Sequence, residues 1–277
     1  MMTWFEAYRA ADPLVAAWIG CTLVAALCWL GSLATGNYSQ VDRLWSILPV
    51  LYVFHFGARQ GFADPRLAVM ALLALLWGAR LTYNYARKGG YTPGSEDYRW
   101  PEVRSRMGAV QFQVFNVVFV AAFQNALLLM LATPAYVAGR PGARPLNAMD
   151  ALATLLFLGF LAGETLADQQ QWRFHLDKSA RPERGERAGR DFLTTGLFRY
   201  SRHPNFFCEQ GMWWSFYLFA VAATGSWIQW PILGAAILTL LFQGSTGLTE
   251  ELTLRKYPDY ATYQKTTSRL LPLPPKR

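Results

Sequence analysis

Apolar residues along this chain come in long runs separated by short polar connections, rather than in the periods of 3.6 or 2 that organise soluble helices and strands. Runs near or above about 18 apolar residues read as membrane helices. Seven segments are expected, at 13–34, 41–57, 66–84, 110–133, 147–167, 206–223 and 227–247. The pattern predicts an all-α fold, a polytopic integral membrane bundle of about seven transmembrane helices forming one membrane domain over 1–277. No internal repeat, low-complexity tract or soluble-domain boundary interrupts it. The N-terminus lacks a basic segment ahead of the first run, so that run is expected to be a retained helix rather than a removed signal.

Charge then sets the orientation. The net charge is +8, and Lys and Arg collect in alternate connections: 85–108, 168–205 and the tail. The positive-inside bias makes that side cytoplasmic, with the N-terminus out and the C-terminus in. This placement accounts for the basic balance without a nucleic-acid partner. The three cysteines form no CxxC pair and lie in or beside apolar runs, as buried thiols do. The three histidines are scattered, and no metal-ligand cluster is expected.

Polar residues inside the spans narrow the search for chemistry, because such groups are costly in hydrocarbon and face a bundle interior or a cavity. Gln113, Asn116 and Gln124 suit interhelical hydrogen bonds. Glu164, Asp168, Gln171 and His175 are spaced 4, 3 and 4, one stripe on a continuous helix running from the membrane into a basic connection. Two carboxylates on one stripe suit the hydroxyls or amides of a polar ligand.

The densest chemistry is in Thr194–Glu209, TTGLFRYSRHPNFFCE. Arg199, Arg202 and His203 are donors for an anion, and Tyr200 can stack on a ring. Pro204 suits the first turn of a helix, which sets Asn205, Glu209 and Trp213 on one face at its mouth. Glu250 and Glu251 leave the last span on the same side, ahead of a stretch whose Tyr257, Tyr260 and Tyr263 suit packing onto the bundle.

Six stretches carry a family resemblance: NYSQVDRLW at 37–45, LLWGARL at 75–81, EDYRWPEVR at 96–104, ETLADQQQWRF at 164–174, GLFRYSRHPNFFCE at 196–209 and TEELTLRKYPDYATYQ at 249–264. With them the chain resembles uncharacterised bacterial membrane proteins of the DUF1295 type, grouped with the C-terminal domain of steroid 5-alpha-reductases. More distantly it is similar to membrane methyltransferases of the isoprenylcysteine type. The resemblance implies a nucleotide cofactor at the cytoplasmic mouth of a bacterial inner-membrane protein, held mainly by 147–277. The reductase side implies NADPH, with Asp168, Tyr200, Asn205 and Glu209 as cofactor contacts and Trp213 between nicotinamide and substrate. The methyltransferase side implies S-adenosylmethionine near Glu250 and Glu251.

The reductase pattern is departed from at Ser46-Ile47, where it has a Gln-Glu pair, and at Trp77, where it has a tyrosine. Thr246 and Glu250 fall near its last-span histidine and tyrosine. The expected activity is NADPH-dependent reduction of a C=C bond in a steroid-like or other lipid substrate drawn from the bilayer. Such a reaction needs an acid within hydrogen-bond reach of the substrate, for which Asp42, Tyr83 and Glu209 are the candidates. The alternatives are methyl transfer and non-enzymatic lipid binding.

Overall fold

The computed structural model describes residues 3–62, 64–181 and 191–276, and every regular element among them is helical. In chain order these are α1 (Trp4–Ala10), α2 (Pro13–Thr35), α3 (Gln40–Leu44), α4 (Leu48–Arg59), α5 (Pro65–Arg87), α6 (Arg99–Ser105) and α7 (Ala109–Phe115). A π-helical segment (Asn116–Phe123) leads into α8 (Gln124–Ala138), followed by α9 (Ala148–Ala180) and a 3₁₀ turn (Gly196–Arg199). The last elements are α10 (Pro204–Thr224), α11 (Ile232–Lys256) and α12 (Tyr260–Thr266).

Their ends follow local chemistry. Asp12 caps α2 by accepting from the Leu14 N–H at 2.7 Å, Pro13 fills the first turn, and Gly36 closes the helix at φ +63°. Asp64 and Pro65 open α5 in the same way.

Among the described residues five helical stretches are long and apolar enough to cross a membrane: Pro13–Thr35, Pro65–Arg87, Ala109–Ala138, Ala148–Ala180 and Ile232–Lys256. Only 17% of the apolar window of Pro13–Thr35 is buried by the protein, and Leu23, Leu27, Leu30 and Leu33 on it stand exposed. An apolar face of that extent suits hydrocarbon rather than water. Two expected spans come out differently. The segment expected at 41–57 is α3, a tight turn and the 12-residue α4, whose start is set by Pro49. At 1.5 Å per residue, α4 reaches only about 18 Å. The segment expected at 206–223 is the 21-residue α10, which is not among the five.

Backbone contacts divide the chain into two compact units, residues 1–155 with 213–238, and residues 156–212 with 239–277. The divisions fall inside α9, α10 and α11, so no linker separates the units.

In the first unit α4 packs against both α5 and α8, and α2 lies on α8 and the π segment. Gly78 lets α5 approach α4, where a Cβ would stand 2.6 Å from the Ser46 carbonyl oxygen. Two of the motif stretches clasp each other here. The Tyr38 N–H donates to Glu96 at 2.8 Å, the Asp97 N–H to Ser39 Oγ at 2.9 Å, and Trp100 Nε1 to Asp42 Oδ2 at 2.7 Å. Asn116 Nδ2 donates to Ser32 Oγ on α2 at 2.9 Å, a bond between helices, and Gln113 Nε2 donates to the Tyr38 hydroxyl in the α2–α3 connection at 3.1 Å, whereas Gln124 Oε1 is buried with no hydrogen-bond partner among the described residues. All three cysteines are buried, and none is in a disulfide.

Candidate functional site

The second unit is organised around one carboxylate. Glu250, on α11, is buried and accepts four hydrogen bonds. Arg202 grips it with both edges of the guanidinium, Nε to Oε1 at 2.7 Å and Nη2 to Oε2 at 3.0 Å. His203 Nε2 lies 2.9 Å from Oε1, and Gln264 Nε2 donates to Oε2 at 2.9 Å. An ionised carboxylate offers about four lone-pair sites, so Glu250 is saturated. Arg202 Nη1 is spent as well, on the carbonyls of Gln264 and Thr267.

The arginine and histidine of the RHP core are thus oriented by the chain 48 and 47 residues downstream. Glu251 points elsewhere, pairing with Arg255 at the surface. Adjacent residues on a helix diverge by about 100°, which is why these two neighbours have different fates.

The backbone around Arg202 is tied to the tail. The Arg202 N–H donates to Ser268 O at 2.8 Å, the His203 N–H to Arg269 O at 3.1 Å, and the Leu273 N–H to Tyr200 O at 3.0 Å. Upstream, the 3₁₀ turn is fastened to α9. Gln170 Oε1 accepts from the Leu197 N–H at 2.9 Å, and Gly196 at φ +63° lies so close that a Cβ there would stand 2.5 Å from the same oxygen. The tail tyrosines pack against the connection and the 3₁₀ turn ahead of α10: Tyr260 and Tyr263 lie with their ring centroids 5.0 and 5.7 Å from that of Phe192, and the Tyr263 hydroxyl donates to Phe198 O. The result leaves Arg199 and Tyr200 exposed beside a segment that is held on both sides.

Three further carboxylates are buried in this unit: Glu164 and Asp168, one turn apart on α9, and Glu209 on α10. The two helices meet where residues are small. A Cβ on Gly163 would stand 2.9 Å from Cys208 Sγ, and one on Gly211 would stand 2.6 Å from the Phe160 ring. Glu164 and Glu209 are the chain neighbours of Gly163 and Cys208, so they flank a close approach of α9 and α10. Farther along the stripe Gln171 is half-buried and His175 exposed, so only its first half turns inward. Asn205 is half-buried in the first turn of α10.

The expected site residues therefore fall into two sets. Glu164, Asp168, Arg199, Tyr200, Arg202, His203, Asn205, Glu209, Glu250 and Glu251 belong to the second unit. Asp42, Tyr83 and Trp213 belong to the first. Asp42 holds the Trp100 indole. Tyr83 is exposed on α5 with the Arg87 guanidinium 5.5 Å from its ring centre. Trp213 is fully enclosed against Trp77, ring centroids 4.8 Å apart at 79°.

Gln170 and Gln264, which position the RHP segment, escape a reading by charge because each is a neutral residue in a run of polar ones. The glycine of TTGLF is a signal for Gln170, since a glycine opening a turn marks a close approach; Gln264 has none. Among the described residues no group of histidine, cysteine and carboxylate side chains is arranged to hold a metal ion.

No solved structure matches the chain significantly. An uncharacterized protein of Schizosaccharomyces pombe is 43% identical over 279 residues, an alignment covering 96% of this chain and 81% of that protein. The kinship therefore reaches a fungus. A family model described as protein of unknown function, DUF1295, matches residues 28–267, which takes in all six motif stretches. The chain belongs to the DUF1295 family.

Proposed function

We propose that this protein is a membrane-embedded, NADPH-dependent reductase acting on a C=C bond of a steroid-like or other lipid substrate. The observation that carries the reading is the arrangement in the second unit. An exposed arginine and tyrosine, Arg199 and Tyr200, stand on a segment fixed by Gln170 and the tail, just ahead of a helix crossing flanked by the buried carboxylates Glu164 and Glu209. Cations suit the phosphates of a dinucleotide, and carboxylates suit ribose hydroxyls and the carboxamide N–H. In this reading Arg199 carries the phosphate contact, Tyr200 stacks on a ring, and Asp168, Asn205 and Glu164 bind polar edges of the cofactor. Arg202 and His203 position the segment through Glu250.

NADPH supplies the hydride when bound. The chain's own share is orientation and a proton, which Glu209 holds, because among the three acid candidates it alone lies in the unit with the cofactor residues. In the same reading the chain crosses the membrane seven times. Segment 40–59 and α10 add to the five long helices, and the second-unit site faces the cytoplasm.

Glu250 and Glu251 were the residues that suited S-adenosylmethionine. The first has no lone pair left and the second pairs at the surface, which weighs against methyl transfer. The test is binding by the purified protein in detergent. NADPH is expected to bind and S-adenosylmethionine not to. Arg199→Gln is expected to weaken NADPH binding about tenfold, the size of one charge-assisted hydrogen bond, with an unchanged melting temperature. Binding of S-adenosylmethionine instead of NADPH would overturn the reading, and binding of neither would leave lipid binding without redox chemistry.

A further inference from the structure

A second site stands in the first unit, independent of the reading above. The connection between α8 and α9 is held by a buried ion pair. Arg66, 0% exposed, donates Nε to Asp150 Oδ1 at 2.6 Å and Nη2 to Asp150 Oδ2 at 2.9 Å. A buried pair contributes little net stability, because desolvation offsets the attraction. What this pair does is visible in its remaining donors. Nη1 reaches Arg144 O at 2.9 Å and Nη2 also reaches Pro145 O at 3.1 Å, fixing the loop ahead of α9.

The same loop is tied to the end of α10 by the Arg144 N–H to Ala223 O at 2.7 Å and Asn147 Nδ2 to Ala222 O at 3.1 Å. The backbone of Arg144 is thus locked at both ends, while its exposed guanidinium has no partner among the described residues. That guanidinium lies over Gly225, at φ +76°, where any Cβ would overlap it.

Beside it is an open cavity of about 490 Å³ lined by Arg144, Asn147, Met149, Val221 and Trp227. Next to the cavity the chain exposes Trp227, Ile228 and Trp230, with Ile228 84% accessible. The loops lie at the ends of α8, α9 and α11, each part of a stretch long and apolar enough to cross a membrane, so they sit at the level of the headgroups. An unpartnered guanidinium carried on a fixed backbone suits a phosphate. Exposed tryptophan and isoleucine at that depth suit glycerol and acyl chains, and a free anion would leave them in water.

We propose that Arg144 and this cavity bind the phosphodiester of an anionic phospholipid, with its acyl chains against Met149, Val221 and Trp227. The test is native mass spectrometry of the delipidated full chain titrated with phosphatidylglycerol. Arg144→Gln and Gly225→Ala are each expected to weaken binding about tenfold. Arg140→Gln, whose guanidinium lies over Tyr136 instead, is expected to leave it unchanged. Diacylglycerol, which lacks the phosphate, is expected to bind the wild type as weakly as phosphatidylglycerol binds Arg144→Gln, and millimolar inorganic phosphate is expected not to displace the lipid. Wild-type affinity in Arg144→Gln, with its melting temperature intact, overturns the proposal. Equal binding of diacylglycerol does so too, and displacement by inorganic phosphate reassigns the site to a free anion.

Discussion

Replacing Glu250 by glutamine tests the hub of the second unit with one atom. Glutamine keeps the shape but turns one acceptor oxygen into a donor nitrogen. Whichever way the amide lies, that nitrogen faces an Arg202 N–H that cannot accept, either Nε or Nη2. That hydrogen bond is lost, and the Arg202 side chain, only 10% exposed, is left without its counter-charge. Breaking a buried pair from one side costs about 3–5 kcal/mol. For a chain of this size each kcal/mol moves the melting temperature by about 2–4 °C, so a fall of about 6–20 °C is expected.

The assay is tryptophan fluorescence of purified protein during a thermal ramp, with Glu251→Gln as control. Glu251 and its partner Arg255 are 47% and 53% exposed, and such surface pairs contribute about 0–1 kcal/mol. The double variant Arg202→Met with Glu250→Leu should melt higher than Glu250→Leu alone, because no stranded charge remains. A Glu250→Gln variant melting within about 3 °C of wild type, or no lower than Glu251→Gln, would falsify the account of Glu250 as the saturated centre of this unit.

Gly196→Ala should strain the 3₁₀ turn by about 1–2 kcal/mol through its left-handed φ, besides pushing on Gln170. It should lower NADPH affinity more than it lowers the melting temperature, as parallel binding and melting measurements would show, and an unchanged affinity counts against the turn as a site element. Asp12 offers a pH test. Burial alone would raise its carboxyl, but donors at Leu14 N–H and Tyr136 O–H hold it below the ordinary 3.8. Its depressed value means that its stabilisation is present above 3.8 and is lost as pH falls through the folded-state value. Asp12→Ala should therefore cost about 1 kcal/mol near neutrality and progressively less as the pH falls through the folded-state value, and a melting difference that does not shrink with acid refutes the charged cap.

The helical outline was legible because capping residues and apolar runs are local: Asp12-Pro13, Asp64-Pro65 and Pro204 mark helix starts that a reader of sequence can find. The break inside segment 41–57 is not legible in the sequence, because its run of apolar residues continues through the turn before Pro49, where a turn costs no hydrophobicity. The inward turn of Glu164 and Asp168 was readable from their spacing of four. The division between Glu250 and Glu251 was not, since adjacent residues differ only in helical phase and the phase was set by Arg202, 48 residues away. A still longer separation hid the pairing of 200–203 with 268–273. Asp42, read for its acidity, serves a tryptophan 58 residues downstream. Long-range partners decide which polar residues remain available for chemistry, and spacing along the chain carries no record of them.

The dependence of Arg202 and His203 on Glu250, Gln264 and residues 267–269 also sets an order of events during synthesis. The RHP segment leaves the ribosome dozens of residues before its partners do. Until those partners arrive, a guanidinium and an imidazole at the head of an apolar helix have no carboxylate to meet. The segment must therefore wait in an open state while α11 is made and placed. The last stretch of chain then acts as the clasp that completes this segment, so a ribosome that stalls after α10 leaves Arg202 and His203 without the carboxylate that orients them.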